Sequence, residues 1–278
     1  MSVIRLILPA MKNSTVLTRQ VIAHNDATDS GNPMHDDAAA RAMNFKGALV
    51  PGITAFGYMT HSLVQHFGTE WLSHGYMQVR FRRPVYASEV LKIDSRLDES
   101  DSLAIDVLNP DGEICVLGHG SLTTEVASLP ASFAPYRDMP DPPWPATYEK
   151  FASEKTLGSL RATFSETENS AFLDAMQDDH AVYRDGTMHP SWLLRQANIV
   201  VDQNFDIGPW IHVESEIRNY ATARIDECIE VRAQVVELFE RKGHEYFDLD
   251  IAMLIDGDPD RLAMRVLHRA IYKMGAAA

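Results

Sequence analysis

The chain has 278 residues, 45% of them apolar and 23% charged, which is the composition of a globular protein of one large or two ordinary domains. A formal net charge of -14 argues against nucleic acid as a partner, because phosphate binding needs basic surface. No run reaches the roughly 18 apolar residues that span a bilayer, and the N-terminal MSVIRLILPAMKNSTV, broken by Pro9, makes a poor signal peptide, so a mature cytoplasmic chain with no membrane partner is expected. Cys115 and Cys228 lie far apart without a ligand spacing, so neither a disulfide framework nor a metal is expected.

In chain order, the first notable stretch is ATDSGNPMHDDAAA, residues 27–40, where Asp29, Asn32, Pro33 and His35 precede Asp36 and Asp37. Such residues bend a chain, and they are also the types that hold a water molecule. From Gly52 onward Ile53, Phe56, Met59, Leu63 and Phe67 recur at spacings of three and four, which predicts a helix with an apolar face. Strands are predicted within 77–97, 103–109 and 113–126, the last two joined by the turn Asn109-Pro110-Asp111-Gly112. Six of the 14 prolines then fall between Leu129 and Pro145, a semi-extended connector. Beyond it the order repeats. Pro190 opens a second helix, and strands are predicted within 211–240, 245–255 and 262–274, with a final turn at Asp256-Gly257-Asp258-Pro259.

An offset of 138 residues carries Val50-Pro51-Gly52 onto Met188-His189-Pro190 and Glu89-Val90-Leu91 onto Glu227-Cys228-Ile229. The expected organisation is therefore 1–128 as a first domain, 129–148 as a linker and 149–278 as a second domain. One long helix and several strands per half predict an α+β fold, a curved antiparallel sheet around a helix, made twice and joined edge to edge.

The residues Asn32-Pro33-Met34-His35, Val50-Pro51-Gly52 and Phe81-Arg82-Arg83-Pro84-Val85 resemble the MaoC-like (R)-specific enoyl-CoA hydratases and dehydratases, over roughly residues 18–125. The resemblance implies a double hotdog fold, in which one half keeps the catalytic pair and the other widens the acyl pocket; the chemistry is then expected in the first half. Two positions depart from the family. Asp29 stands three residues ahead of Asn32, where the family acid stands two ahead and this chain has Ser30. Pro51 replaces the histidine of the family's V-H-G. In the second half Asp178, His180 and Tyr183 correspond to the family's acid, asparagine and histidine, with His189 beside them.

The implied activity is hydration of a trans-2-enoyl-CoA, or dehydration of a 3-hydroxyacyl-CoA. A carboxylate and an imidazole sharing one water can handle both proton steps, roles assigned to Asp29 and His35 with Asn32 orienting them. Gly52 and Ile53, at a helix start with unpaired N–H groups, are candidates for the thioester oxygen. Arg80, Arg82 and Arg83 are candidates for the phosphates of coenzyme A. Asp178, His180 and His189 form the second-half candidate set, and His61, His66, His119 and His268 are read as structural. No cofactor is expected beyond coenzyme A as part of the substrate, and a homodimer of double hotdogs is the expected assembly. Two alternatives remain: an acyl-CoA thioesterase with Asp36 or Asp37 as base, and a non-catalytic acyl-CoA-binding subunit.

Overall fold

A computed structural model describes residues 16–27, 30 and 32–275; the catalytic candidate Asp29 lies outside the described residues. The first half contains β1 (Leu17–Ile22), α1 (Asp37–Ala42), α2 (Gly52–Phe67), α3 (Trp71–His74), β2 (Gly75–Phe81), β3 (Val90–Leu97), β4 (Leu103–Leu108) and β5 (Ile114–Leu122). The connector leads through β6 (Trp144–Pro145) and α4 (Tyr148–Ser153) to β7 (Leu160–Thr163), α5 (Glu166–Met176), α6 (Ala181–Arg184) and α7 (Pro190–Asn204). The chain ends with β8 (Phe205–Asp206), β9 (Ile211–Asn219), β10 (Cys228–Arg241), β11 (His244–Ile255) and β12 (Leu262–Lys273).

Ten strands form one antiparallel sheet in the order β1-β3-β4-β5-β2-β9-β12-β11-β10-β7. Each half contributes five, and the two halves run in matching order outward from the β2–β9 seam. At that seam Met77 opposes Ile217 and Val79 opposes Ser215, so each half covers the other's exposed edge. The repeat holds at the level of elements. α2 and α7 begin 138 residues apart, at Gly52 and Pro190, as do β3 and β10, at Val90 and Cys228.

The strands follow the period-2 rule: in β2 Met77 and Val79 are buried while Gln78 and Arg80 face solvent. Helix α2 differs, with 11 of its 16 residues buried, which requires packing on every side. The sheet wraps one side of it and α7 covers another. Where α2 and α7 cross, a Cβ on Gly57 would stand 2.8 Å from Ser191 Oγ and 2.6 Å from Met176 Sδ. Ser191 Oγ also donates to the Ile53 carbonyl at 2.9 Å. This is a double hotdog, two helices cradled by one continuous curved sheet.

Both predicted hairpin turns form, with Gly112 at φ +77 and Gly257 at φ +75, the left-handed region that glycine enters without strain. The expectation of one long helix per half needs correction in the second half. Ser165 and Glu168 make a reciprocal capping box that starts α5, an 11-residue helix whose Met176 packs at the α2–α7 crossing.

Candidate active site at the start of α2

The Asn32–His35 segment is a short helical turn fixed at both ends. The buried Asn32 side chain accepts from Met34 N–H at 3.2 Å and donates to the Trp210 carbonyl at 3.0 Å, tying the first-half loop to the second half. The Trp210 indole donates in turn to Asp202 of α7 at 2.8 Å, and burial raises the Asp202 carboxyl to about 6 against the pull of that bond.

His35 meets the carbonyl of Leu49 through Nδ1 at 2.7 Å, three residues before α2 begins. A carbonyl only accepts, so Nδ1 carries the proton and Nε2 presents a lone pair. Burial lowers the pKa of this imidazole, although the Leu49 bond opposes it, and the ring is neutral at pH 7. A half-buried neutral imidazole of fixed tautomer is suited to take a proton from water.

Helix α2 starts without a side-chain cap, because Pro51 has none to offer. Among the described residues nothing accepts from the N–H groups of Gly52 or Ile53, while Thr54 and Ala55 N–H both bond the Pro51 carbonyl. Among the described residues the helix start thus keeps two donors without an acceptor, together with the positive end of its dipole. A Cβ at Gly52 would lie 3.0 Å from the Phe81 ring, so glycine also makes room for Phe81 at this helix start.

An acid that sequence patterns did not single out lies beside these donors. Asp26 accepts from Thr54 Oγ1, in the first turn of α2, at 2.5 Å and pairs with Arg195 of α7. Burial lowers Arg195 to about 10, which leaves it a cation at pH 7. Asn25 next to it donates to the His35 carbonyl at 3.0 Å, so the loop of Asp26 and the turn of His35 form one unit. The sequence signal was present, a second acid in HNDATDSGN, but nothing local indicates that Thr54 and Arg195 would meet it.

The second-half candidates form a different arrangement. Asp178 accepts from His180 N–H at 3.1 Å and faces His189 Nε2 at 3.4 Å. His189, fully buried, uses Nδ1 to accept from Ser191 N–H at 3.1 Å and so caps α7. Pro190 has no N–H to offer. The start of α7 is therefore closed where the start of α2 is open. Tyr183 is buried with its ring 4.5 Å from that of His189.

The arginine expectations divide. Arg80 projects from the outer face of the sheet and pairs with Glu214 at 3.0 Å, an ion pair that joins the two halves. Arg83 bonds the Ile114 carbonyl and lies 3.4 Å from Glu113. Arg82 is exposed, with no side-chain partner among the described residues. Asp36 and Asp37 are also committed: Asp36 caps α1 through Ala39 N–H at 2.8 Å, and the exposed Asp37 pairs with Arg41. Of the histidines read as structural, His119 makes a surface pair with Asp98 and His268 is buried beside His212. His61 instead joins the second-half cluster.

A depression of about 610 Å³ between α5 and Gly186 is lined by four acids, Glu166, Asp174, Asp185 and Asp226, against one base, Arg184, a poor match for an anionic ligand, and no residue of α2 lines it. Among the described residues no helix is long and apolar enough to cross a membrane.

Neither a protein-family model nor a curated protein matches the sequence. Solved structures do resemble it. A protein described as a MaoC domain dehydratase, from Chloroflexus aurantiacus, superposes with a TM-score of 0.65 at 10% identity, over 95% of this chain and 97% of its own. A Mycobacterium tuberculosis protein described as a double hotdog gives 0.61 at 11% identity, covering 94% and 96%. A protein described as a thioesterase II, from Thermobifida fusca, gives 0.51 at 14% identity, covering 92% of each chain. These likenesses establish a fold in common, the double hotdog of structures described as MaoC-like dehydratases.

Proposed function

We propose that the chain is a hydro-lyase acting on acyl thioesters, adding water to a trans-2-enoyl-CoA or removing it from a 3-hydroxyacyl-CoA, at the start of α2. The observation that carries this reading is the asymmetry between the helix starts. Among the described residues the Gly52 and Ile53 N–H donors have no acceptor, and a neutral His35 is tied to Leu49 three residues before them, whereas the equivalent donors of α7 are capped or missing. In the hydration direction, His35 Nε2 takes a proton from water and the oxygen bonds Cβ. The electron pair of the double bond moves onto the thioester oxygen, where the two N–H groups stabilise it. The proton is then delivered to Cα. Asp29 is proposed as the partner carboxylate and Asn32 as the group that fixes the loop. Asp26, held by Thr54 and Arg195, positions the first turn of α2. Arg82 is the proposed contact for a coenzyme A phosphate. Coenzyme A arrives as part of the substrate and no separate cofactor is assigned. A cytoplasmic location and a homodimer belong to the same reading.

The test is loss of the conjugated enoyl thioester absorbance, with crotonyl-CoA and a longer enoyl-CoA, for wild type, Asp29→Asn and Asp26→Asn. Turnover that collapses in Asp29→Asn and persists in Asp26→Asn supports the assignment. Collapse in Asp26→Asn alone moves the carboxylate role to Asp26. Release of free thiol with the double bond intact favours the thioesterase, although Asp36 and Asp37, its expected bases, are engaged in capping and an ion pair. Saturable acyl-CoA binding without turnover favours the binding subunit.

A further inference from the structure

We propose that His61, His180 and Asp178 form a binding site for a divalent transition-metal cation of the Zn²⁺ or Co²⁺ type, linking α2 of the first half to the α5–α6 loop of the second. One ligand-capable atom from each of the three lies within 4.8 Å of the others. The site is distinct from the start of α2 and independent of the reaction proposed there.

The hydrogen bonds select which nitrogen of each imidazole is left to ligate. His61 Nε2 donates to the Asp179 carboxylate at 3.0 Å, which places the proton on Nε2 and leaves Nδ1 with a bare lone pair. That Nδ1 is buried and has no partner among the described residues. His180 Nε2 meets the His61 carbonyl at 3.0 Å, an acceptor only, so the tautomer this bond selects leaves Nδ1 to offer the lone pair. The two rings lie 4.4 Å apart. A carboxylate or carbonyl behind each ring, fixing the tautomer and raising ligand basicity, is the usual support of a metal-binding histidine.

The donor set, two imidazole nitrogens and one carboxylate oxygen, suits a borderline cation better than Mg²⁺ or Ca²⁺, which prefer all-oxygen shells. Metal–ligand distances of about 2.0–2.2 Å place tetrahedral ligand atoms about 3.4 Å apart, so from a bound of 4.8 Å the side chains must close by up to about 1.4 Å. Charge is favourable as well. Asp178 and Asp179 together carry two negative charges against the single positive charge of Arg19, whose field reaches both. Without a cation, burial leaves the Nδ1 of His61 unsatisfied, a cost that a bound cation removes.

The experiment uses the full chain, stripped with chelator and dialysed, titrated calorimetrically with ZnCl₂ and followed by visible absorption with CoCl₂. About one equivalent of cation is expected, with a ligand-field spectrum for Co²⁺ and a rise in Tm on adding Zn²⁺. His61→Ala and His180→Ala each weaken binding at least tenfold. Asp179→Asn alters only an exposed side chain behind His61, keeps the fold, and weakens affinity by about 10–100-fold. His35→Ala binds as the wild type does. The proposal is overturned if the wild type binds no stoichiometric cation, or if Asp179→Asn and the two histidine variants bind as tightly as wild type. Should the histidine variants lose the wild-type far-UV circular dichroism, Asp179→Asn decides the matter alone.

Discussion

The imidazole of His189 accepts the Ser191 N–H at 3.1 Å and closes the start of α7, while Pro51 at the equivalent place before α2 offers no side-chain acceptor. The 138-residue repeat brings these two positions into correspondence, yet among the described residues only the start of α7 is satisfied from within. A buried terminus with unbonded N–H groups is costly unless water or a ligand supplies an acceptor. On the function proposed above, that difference assigns the chemistry to the first half.

Replacing His189 by alanine should therefore cost stability and spare chemistry. The lost cap and the space left in a fully buried site together amount to about 2–4 kcal/mol. The expected result is a lower urea midpoint with unchanged turnover of enoyl-CoA at a temperature where the variant stays folded. Turnover reduced by about two orders of magnitude, as for a missing general base, would instead place the reaction in the second half.

His35→Ala should have the opposite profile. Loss of a general base lowers turnover by about 10²–10⁴-fold. Because the ring is only half-buried, Tm should move by only a few degrees. Enoyl-thioester absorbance and a thermal melt on the same sample test both parts; retained turnover would remove His35 from the mechanism.

Asp202 links stability to pH. Its folded pKa of about 6 exceeds the unfolded value of about 3.9, so between these values the folded chain binds more protons than the unfolded one. Stability falls as pH rises through that window, and the penalty is complete above about pH 6. Asn keeps an acceptor for the Trp210 indole and removes the charge. Asp202→Asn should stabilise by about 2 kcal/mol at pH 7.5 and by almost nothing at pH 4, measured by thermal melts across that range.

Gly57→Ala tests the helix crossing. Alanine is the better helix former by about 1 kcal/mol, and an isolated helix would gain from it. Here the new methyl would stand 2.6 Å from Met176 Sδ and 2.9 Å from Ser191 Cβ. Overpacking of this kind costs about 1–3 kcal/mol, and the balance should be a net loss seen in urea unfolding. A stabilised variant would mean that α5 and α7 can give way.

Much of the fold was readable in the sequence because backbone patterns are local. The period of apolar residues marked α2 to its first residue, Gly52, and proline at N1 marked the start of α7. Asn109-Pro110-Asp111-Gly112 turned where proline and glycine require it. Helix α5 was missed although its capping box stands in the sequence, because only two of its turns face the core and its apolar stripe is thin.

The candidate site was readable only in part. The Asn32–His35 motif identified a loop that could hold an imidazole, and the two copies of the fold supplied two sets of candidates. What the spacing could not supply was the pairing of side chains far apart in the chain. Asp26 meets Arg195 across 169 residues, Asn32 meets Trp210 across 178, and His61 meets Asp179 across 118. Each contact exists because two helices cross and two sheets share an edge, so that loops from one half lie on the helix of the other.

The sequence by itself determined the duplicated hotdog, since periodicity, turn chemistry and the 138-residue offset act through the backbone over a few residues at a time. The tertiary structure alone decided which helix start stays open, which arginine is already paired, and which histidines meet around Asp178. Those outcomes depend on the packing of one half against the other, and hydrogen-bond partners chosen across that interface leave no trace in local spacing.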